Sequence, residues 1–275
     1  MKQIKTALIA CLAVIMLQAC KTKDNNWTIS GNTYTSGKVY LYRVDRDLHL
    51  NLIDSATIEN GKFSFKGENS DDRLTPYQID FDKDKKNGIE FLIKDGEKLK
   101  VNIKDEFNIT YSGTPIAKTY NSFVVFREKE MNNLMEFKKK VSDNNLSPDE
   151  VNEEMMLYKE KTQDLENEKI EFIKTILNPE LNGYLVLHEA ISSGVVEKEM
   201  FGKYINALTP EGSMTNNGHK VHQIYEEFGA YALSREMDIL DTATIRARYN
   251  KLDEENKSSE YAKKVEQYLS DYQAN

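Results

Sequence analysis

Two histidines towards the C-terminal end, His219 and His222, have the spacing of a metal-binding pair. Side chains three residues apart lie on the same face of a helix, so both rings could reach one ion. A zinc site needs further protein ligands, and none stands at a recognisable spacing from this pair. We keep the two histidines as a candidate site, but we favour ordinary helix residues and predict no metal.

Two other motifs begin like known sites and then break off. His188-Glu189 starts the H-E-x-x-H pattern of zinc proteases, but the second histidine is absent. Asp80, Asp82 and Asp84 start like a calcium loop, but the turn glycine and the final acidic ligand are absent. The chain also has no nucleophile elbow, P-loop or dinucleotide fingerprint. We therefore expect no enzymatic activity and no cofactor.

Cys20 stands in a sequence context that predicts a covalent modification of its sulfur. Lys2 and Lys5 precede an uncharged apolar run, 6–19, which is shorter than the roughly 20 residues of a membrane span and is typical of a secretory signal peptide. The run ends in Leu17-Gln18-Ala19-Cys20, which resembles the bacterial lipobox. In that motif the cysteine sulfur receives diacylglycerol and the peptide is cleaved just before the cysteine.

The lipobox predicts how the mature chain is held. We expect residues 1–19 to be the lipoprotein signal peptide and residues 20–26 to be the lipidated cysteine and a polar tether. Each buried methylene of an acyl chain contributes about 0.8 kcal/mol, so two or three chains give a stable membrane anchor. Lys21 is not the aspartate that retains enteric lipoproteins at the inner membrane, so we predict the outer membrane. Whether the protein faces the periplasm or the cell surface is left open.

Composition limits the partners and the redox chemistry. The chain of 275 residues has a net charge of −8, which repels phosphate backbones, so we expect no nucleic-acid partner. Only Cys11 and Cys20 occur, and Cys11 leaves with the signal peptide. The mature chain can then form no internal disulfide and no C-x-x-C pair.

Residues 27–114 have the pattern of a β-domain. Eight short segments rich in Tyr, Phe, Ile and Val are separated by turn formers such as Asn60-Gly61. Phe63 and Phe65 alternate with polar residues after that turn, which puts both rings on one face of a strand. Close spacing without intervening helices predicts an antiparallel β-sandwich of about eight strands.

Residues 115–275 have the pattern of an all-helical domain, so the fold class is α+β. Segments 116–141 and 151–177 lack Gly and Pro, and Ser147-Pro148-Asp149-Glu150 between them is a capping box. The two segments predict a long antiparallel helical hairpin. Thr162 and Lys169 interrupt the row of apolar residues on the second helix. Asn178-Pro179 ends the hairpin, and we expect five shorter helices to follow.

A faint repeat occurs in this C-terminal part. Six residues recur at an offset of 44 positions, from Asn206 and Val221 in the first copy to Asn250 and Val265 in the second. An internal duplication would explain the repeat. The shared composition of amphipathic helices would also explain it, and the sequence does not decide between the two.

Several segments together resemble a known family. They are 54–67 (DSATIENGKFSFKG), 37–42 (GKVYLY), 91–103 (FLIKDGEKLKVNI), 111–123 (YSGTPIAKTYNSF) and 176–191 (ILNPELNGYLVLHEAI). They look like a domain of unknown function from Bacteroidetes lipoproteins. In that family the domain is usually the N-terminal β-domain of lipid-anchored thiol-disulfide oxidoreductases that resemble thioredoxin.

The resemblance implies an envelope lipoprotein but carries over no catalytic residue. The family's thioredoxin-like domain with C-x-x-C would begin where this chain stops, and whether the domain was lost or never belonged to it is left open. We expect a non-catalytic binding or scaffolding protein, anchored in the membrane by lipid, whose partner is another envelope protein. The alternative is an accessory subunit of a thiol-disulfide interchange system, acting with a separate thioredoxin-like partner.

Overall fold

The computed structural model describes most of the chain after the predicted signal peptide and tether. The described residues are 26–45, 49–68, 73–83, 88–105, 108–143, 146–192 and 197–272. The signal peptide, the lipobox and the predicted lipidation site Cys20 lie outside them.

Eight strands form two four-stranded sheets, with the orders β4-β1-β7-β8 and β3-β2-β5-β6. Their bounds are β1 Asn26–Thr33, β2 Gly37–Val44, β3 Leu50–Ile58, β4 Lys62–Glu68, β5 Thr75–Asp80, β6 Ile89–Ile93, β7 Lys98–Ile103 and β8 Ile109–Ser112. The predicted α+β class, with about eight N-terminal strands before the helices, is confirmed. Within the sheets β1 and β7 are parallel, whereas the other pairs are antiparallel. Since β1 and β7 are not joined by a hairpin, nothing in the connection forces them to run in opposite directions.

The turn at Asn60-Gly61 has the geometry that its sequence predicts. Both residues have positive φ, 52° at Asn60 and 71° at Gly61. The flanking Glu59 and Lys62 exchange two backbone hydrogen bonds of 2.9 and 3.0 Å. This is the I′ type of tight turn, and it links β3 of one sheet to β4 of the other. In β4, Phe63 and Phe65 are buried, as predicted.

Ten helices follow in the described residues, and none of them combines the length and hydropathy needed to cross a membrane. Their bounds are α1 Ala117–Asp143, α2 Pro148–Lys174, α3 Pro179–Ser192, α4 Lys198–Ile205, α5 Pro210–Ser213, α6 Asn216–Glu226, α7 Phe228–Arg235, α8 Thr242–Asn250, α9 Glu254–Ser258 and α10 Glu260–Asp271. Helices α1 and α2 form the long hairpin. The capping box is present, because Glu150 N–H donates to Ser147 Oγ and Ser147 N–H donates to the Glu150 carboxylate.

Eight helices rather than five follow the hairpin in the described residues. The prediction was wrong because side-chain caps start additional short helices that the count of five left out. Thr209 accepts from Gly212 N–H, and Asp253 accepts from Asn256 N–H. Each cap satisfies free N–H groups at a new helix start, which makes one turn of helix stable between longer ones.

The 44-residue repeat extends to the helix caps. The caps Thr209 and Asp253 are 44 positions apart, and so are the caps Thr215 and Ser259, which start α6 and α10. Both copies have the same order of elements: a helix, then a short helix of four or five residues, then a longer helix. Amphipathic composition alone does not place caps, so this correspondence supports an internal duplication.

The main hydrophobic core runs through the strands and the helices, and a second, smaller cluster lies between α7, α8 and α10. The Trp27 and Tyr77 rings, from different sheets, lie 5.0 Å apart and close the interior of the sandwich. Strands β5 and β6 are buried on both faces, because the helices cover the side that faces away from the other sheet. Helix α3 is buried almost all round. Sandwich and helices therefore pack as one body.

Candidate binding cleft beside a buried ionic network

A group of charged side chains lies buried or half-buried where the sheet of β5 and β6 meets the helices. Glu90 comes from β6, Arg127 from α1, Lys169 from α2, and His188 and Glu189 from α3. Glu90, Lys169 and Glu189 are 8%, 2% and 4% exposed. Charges are rarely buried this deeply unless they are paired. We call these five residues the ionic network.

His188 lies between two carboxylates. Its Nε2 is 3.1 Å from Glu90 Oε2, and its Nδ1 is 2.9 Å from Glu189 Oε1. Burial lowers the pKa of His188, but the two carboxylates outweigh burial and raise the pKa to about 9. The ring is therefore an imidazolium at neutral pH and donates both N–H groups.

The two carboxylates respond in the opposite direction. Burial raises the pKa of Glu90 and of Glu189, but His188 outweighs it and brings both pKa values below their ordinary range. Arg127 adds to this, with Nη2 3.2 Å from Glu90 Oε2 and 4.0 Å from Glu189 Oε1. Both carboxylates are therefore ionised.

Lys169 holds three carboxylates at once. Its Nζ lies 2.8 Å from an oxygen of Glu130 on α1, of Glu166 on its own helix and of Glu189 on α3. Burial lowers the pKa of Lys169, and the carboxylates raise it by more. One ammonium group thus joins α1, α2 and α3.

Tyrosines complete the surroundings of Glu90. Tyr111 OH donates to the Glu90 backbone oxygen at 2.8 Å, and Tyr120 OH donates to the same oxygen at 3.3 Å. Tyr184 OH donates to the Glu90 carboxylate. Strand β6 is therefore tied to β8, α1 and α3 through one residue.

A cleft of about 850 Å³ opens beside the network. Its walls are the end of β2, the starts of β3 and β5, one side of α3 from Glu180 to His188 and the segment that begins α6. His188 belongs both to the network and to the wall of the cleft, and Tyr184, which donates to the Glu90 carboxylate, also lines the cleft. Pockets between a sheet and its covering helices are frequent ligand sites, and this one has a rigid, hydrogen-bonded wall.

Charged groups of both signs line the cleft. Arg43 and Arg73 contribute two guanidinium groups to the lining. The lining carboxylates are engaged: Asp45 accepts from His49 N–H at 2.8 Å, and Glu180 accepts from Leu74 N–H at 3.1 Å. Two guanidinium groups and two carboxylates therefore balance one another along the lining.

The structure places the sequence-predicted histidines elsewhere. His219 is exposed and His222 is half-buried on α6, and neither lines the cleft. Among the residues that the structure describes, no group of three or more His, Cys, Asp or Glu side chains could hold a metal ion. The lipobox residues Leu17, Gln18, Ala19 and Cys20 are outside the described ranges.

Sequence reasoning missed the ionic network, although signals for it exist. His188-Glu189 was set aside as a failed protease motif, yet it stands within an otherwise apolar helix, YLVLHEAI. Lys169 was noted only as an interruption of the apolar row on α2, and Glu90 is the one charge in strand IEFLI. A charged residue at a buried position of a helix or strand must find a partner. That rule indicates His188, Glu189, Lys169 and Glu90.

Comparison with known proteins identifies the β-part of the chain alone. A family model described as "Domain of unknown function (DUF4369)" matches residues 27–120. The match covers the two sheets and ends in the first turn of α1, at Tyr120, which is bonded to Glu90. The predicted resemblance to a domain of unknown function is confirmed for these residues. A comparison with curated proteins finds no match.

Proposed function

We propose that this protein is a non-catalytic lipoprotein of the bacterial cell envelope, of the kind found in Bacteroidetes, that binds a partner in the cleft. The observation that carries the proposal is the cleft itself, whose wall is held rigid by the ionic network. Rigid walls reduce the entropy that is lost when a ligand is ordered, which favours a binding role.

The state of His188 argues against catalysis in the cleft. A general base must accept a proton near neutral pH, and a nucleophile needs such a base within hydrogen-bond reach. His188 holds protons on both nitrogens, and both N–H groups are committed to Glu90 and Glu189. The one histidine that lines the cleft is thus unsuited to proton abstraction.

The lipid anchor of the proposal rests on Leu17-Gln18-Ala19-Cys20. Replacing Cys20 with Ser removes the sulfur that would receive the lipid. The variant should leave the outer-membrane fraction and partition into the aqueous phase of a detergent extraction, and it should not incorporate labelled palmitate. If Cys20→Ser fractionates with membranes as the wild type does, the anchor is wrongly assigned.

Photo-crosslinking in the living cell tests binding. A crosslinking amino acid at Asn216, which is exposed in the cleft, should give discrete adducts with one partner. The control position is Met156 on α2, which is 71% exposed and does not line the cleft. Equal adduct patterns at the two positions would count against a cleft-specific partner.

The second candidate function is accessory to thiol-disulfide exchange, which is the role implied by the resemblance of segments such as 54–67 and 91–103 to the β-domain of thioredoxin-like oxidoreductases. Exchange requires a thiolate to attack a disulfide. The mature lipoprotein has no free thiol once Cys20 is lipidated. It should therefore not reduce insulin alone. If this protein makes an added thioredoxin-like partner reduce insulin faster than the partner does alone, the accessory role replaces the pure binding role.

A further inference from the structure

We propose that the end of the sandwich that contains the cleft faces the membrane, and that the cleft binds an exposed segment of an integral membrane protein in the same bilayer. This names the partner class of the proposed cleft, and it rests on the proposed lipid anchor at Cys20 and the proposed binding role. The supporting observations are the directions of the strands, the place where the chain enters β1 and the length of the tether.

The strand ladders show which end of the sandwich lies nearest to the tether. Asn26, the first residue of β1, lies opposite Glu68 at the end of β4. Thr28 lies beside Lys98, the first residue of β7. We call this end of the sandwich, marked by Asn26, Glu68 and Lys98, the tether end. The far end of β1 lies beside Lys62, the first residue of β4.

The cleft lies at the tether end as well. The Trp27 ring packs 5.0 Å from the Tyr77 ring of the other sheet, and Tyr77 lies directly opposite Arg43 in the β2–β5 ladder. Arg43 lines the cleft together with residues at the starts of β3 and β5. Packed sheets lie about 10 Å apart and paired strands about 4.8 Å apart, so the start of β1 is roughly 10–15 Å from the cleft.

The predicted tether is too short to hold the tether end far from the lipid. Asn26 follows Cys20 by six residues. Six residues span at most about 20 Å when they are fully extended. Strand β1 has eight residues and is therefore about 26 Å long, so the tether is shorter than the sandwich that it holds. The tether end, with its cleft, is thus the part of the fold that lies next to the bilayer.

The helical hairpin points away from the tether end. Helix α3 begins there, where Glu180 accepts from Leu74 N–H, and it reaches Glu90 at the opposite end of β6 through His188. Helix α2 leads into the start of α3, so it approaches the tether end as it ends. The hairpin turn before α2 begins 21 residues ahead of Lys169, which is about 30 Å beyond the ionic network. The hairpin therefore points into the aqueous compartment while the cleft faces the bilayer.

A membrane protein fits the cleft better than a lipid does. Two guanidinium groups and two carboxylates balance along the lining, so the cleft does not select anionic headgroups. The lining also includes the apolar side chains of Leu74, Pro76 and Met214, and the volume of about 850 Å³ is larger than one headgroup needs. A polypeptide segment carries both polar and apolar groups, as this lining does. Anchoring in one bilayer also raises the effective concentration of the two proteins.

Energy transfer from the labelled protein to labelled lipids tests the orientation. The mature lipoprotein has no free thiol once Cys20 is lipidated, so a new cysteine takes the only fluorophore. Lys98→Cys and Lys62→Cys are matched variants, because both lysines are exposed and they lie at opposite ends of β1. Met156→Cys, on the hairpin, is the third position, and Met156 is 71% exposed.

The three labelled lipoproteins are placed in phosphatidylcholine vesicles that carry an acceptor on a fraction of the headgroups. The donor at Lys98 should lose more fluorescence than the donor at Lys62, and the donor at Met156 should lose least. Equal losses at Lys98 and Lys62, or the greatest loss at Met156, would overturn the orientation.

Lengthening the tether tests the partner class in the living cell. A flexible insertion of about thirty Gly and Ser residues after Asn25 keeps the lipid but no longer holds the cleft at the bilayer. The photo-crosslinked adduct at Asn216 should be an integral membrane protein, and its yield should fall about tenfold with the longer tether, because effective concentration decreases with tether length. The same insertion after Asn144, between α1 and α2, is the control and should leave the yield unchanged.

The outcomes separate this proposal from those on which it rests. An unchanged yield with the long tether, or an adduct with a soluble protein or a lipid, overturns the membrane-protein partner, while the crosslinks at Asn216 preserve the binding role. If no cleft-specific adduct forms, the partner and the binding role both fail. If Cys20→Ser still fractionates with membranes, the anchor is wrong and the orientation argument fails with it.

Discussion

At the residue scale, Lys169 and His188 carry the buried pairing that joins the helices to the sheet. Each contacts charged groups from other elements, Lys169 on α1 and α3 and His188 on β6. Buried charges are costly to desolvate, so the network adds specificity of packing more than net stability while it is whole. Its effect on the free energy of unfolding becomes large when one partner is removed.

Lys169→Met should destabilise the protein strongly. The change leaves Glu189 and Glu166 buried without their shared cation, and breaking a buried pair costs about 3–5 kcal/mol. Lys129→Met is the matched control, because Lys129 pairs across the same two helices with Glu168 but is exposed, and it should cost less than about 1 kcal/mol. Urea denaturation measures both. Similar losses in the two variants would mean that burial of the lysine is unimportant.

The raised pKa of His188 predicts a fall in stability at alkaline pH. An unfolded histidine titrates near pH 6.5, whereas the folded pKa is about 9, so the folded state binds the proton more tightly. This stabilisation is fully present below about pH 6.5 and is lost as the pH rises to about 9, by at most about 3 kcal/mol.

The measurement is the urea midpoint at pH 6 to 9.5. The wild type should lose stability over that range, and His188→Gln should show a flatter profile because the titrating group is gone. His219→Gln, at an exposed helix position, should keep the wild-type slope. A His188→Gln profile parallel to the wild type would refute the assigned protonation.

At the element scale, turns and caps decide where strands and helices begin. The tight turn between β3 and β4 needs a positive φ at both central residues, and Gly61 supplies it at the second. A Cβ built on Gly61 would stand 2.9 Å from the Thr33 backbone oxygen, so space and conformation both favour glycine there.

Gly61→Ala should therefore cost about 1 kcal/mol or more. Gly202→Ala is the control: this helical glycine has its nearest neighbour at 3.8 Å, and the greater helix propensity of alanine should leave stability unchanged or raise it by up to about 1 kcal/mol. Thermal unfolding compares the two. An unaffected Gly61→Ala variant would show that the turn tolerates a side chain.

At the scale of the whole molecule, one core joins the sandwich to the helices. The helices cover one face of β5 and β6, so the sheets alone would expose apolar side chains such as Leu92, which lies on the same face of β6 as Glu90 and is 2% exposed in the whole protein. The ionic network crosses the same boundary. Separate stability of the two parts is therefore not expected.

The protein should unfold in one transition. Trp27 is the only tryptophan and lies inside the sandwich, so its fluorescence reports on the sheets, whereas circular dichroism at 222 nm reports on the helices. The two probes should give the same urea midpoint. Midpoints that differ, with the helices lost before the tryptophan signal changes, would show two independent units.

The sequence by itself determined the local structure. Alternation of apolar residues specifies strands, Asn60-Gly61 specifies a tight turn, and Ser147 with Glu150 specifies a helix start. These features depend on residues that are neighbours in the chain, so their physics can be read locally. The lipobox at Cys20 is of the same local kind, and its role stays a prediction.

Only the tertiary structure decided the site. Glu90, Lys169 and His188 are far apart in the chain and become partners because apolar packing brings β6, α2 and α3 together. The position of the cleft at the end where β1 begins is equally non-local, since it depends on how the strands pair and how the two sheets pack. Sequence patterns show that a buried charge needs a partner, but which partner it finds depends on how the elements pack.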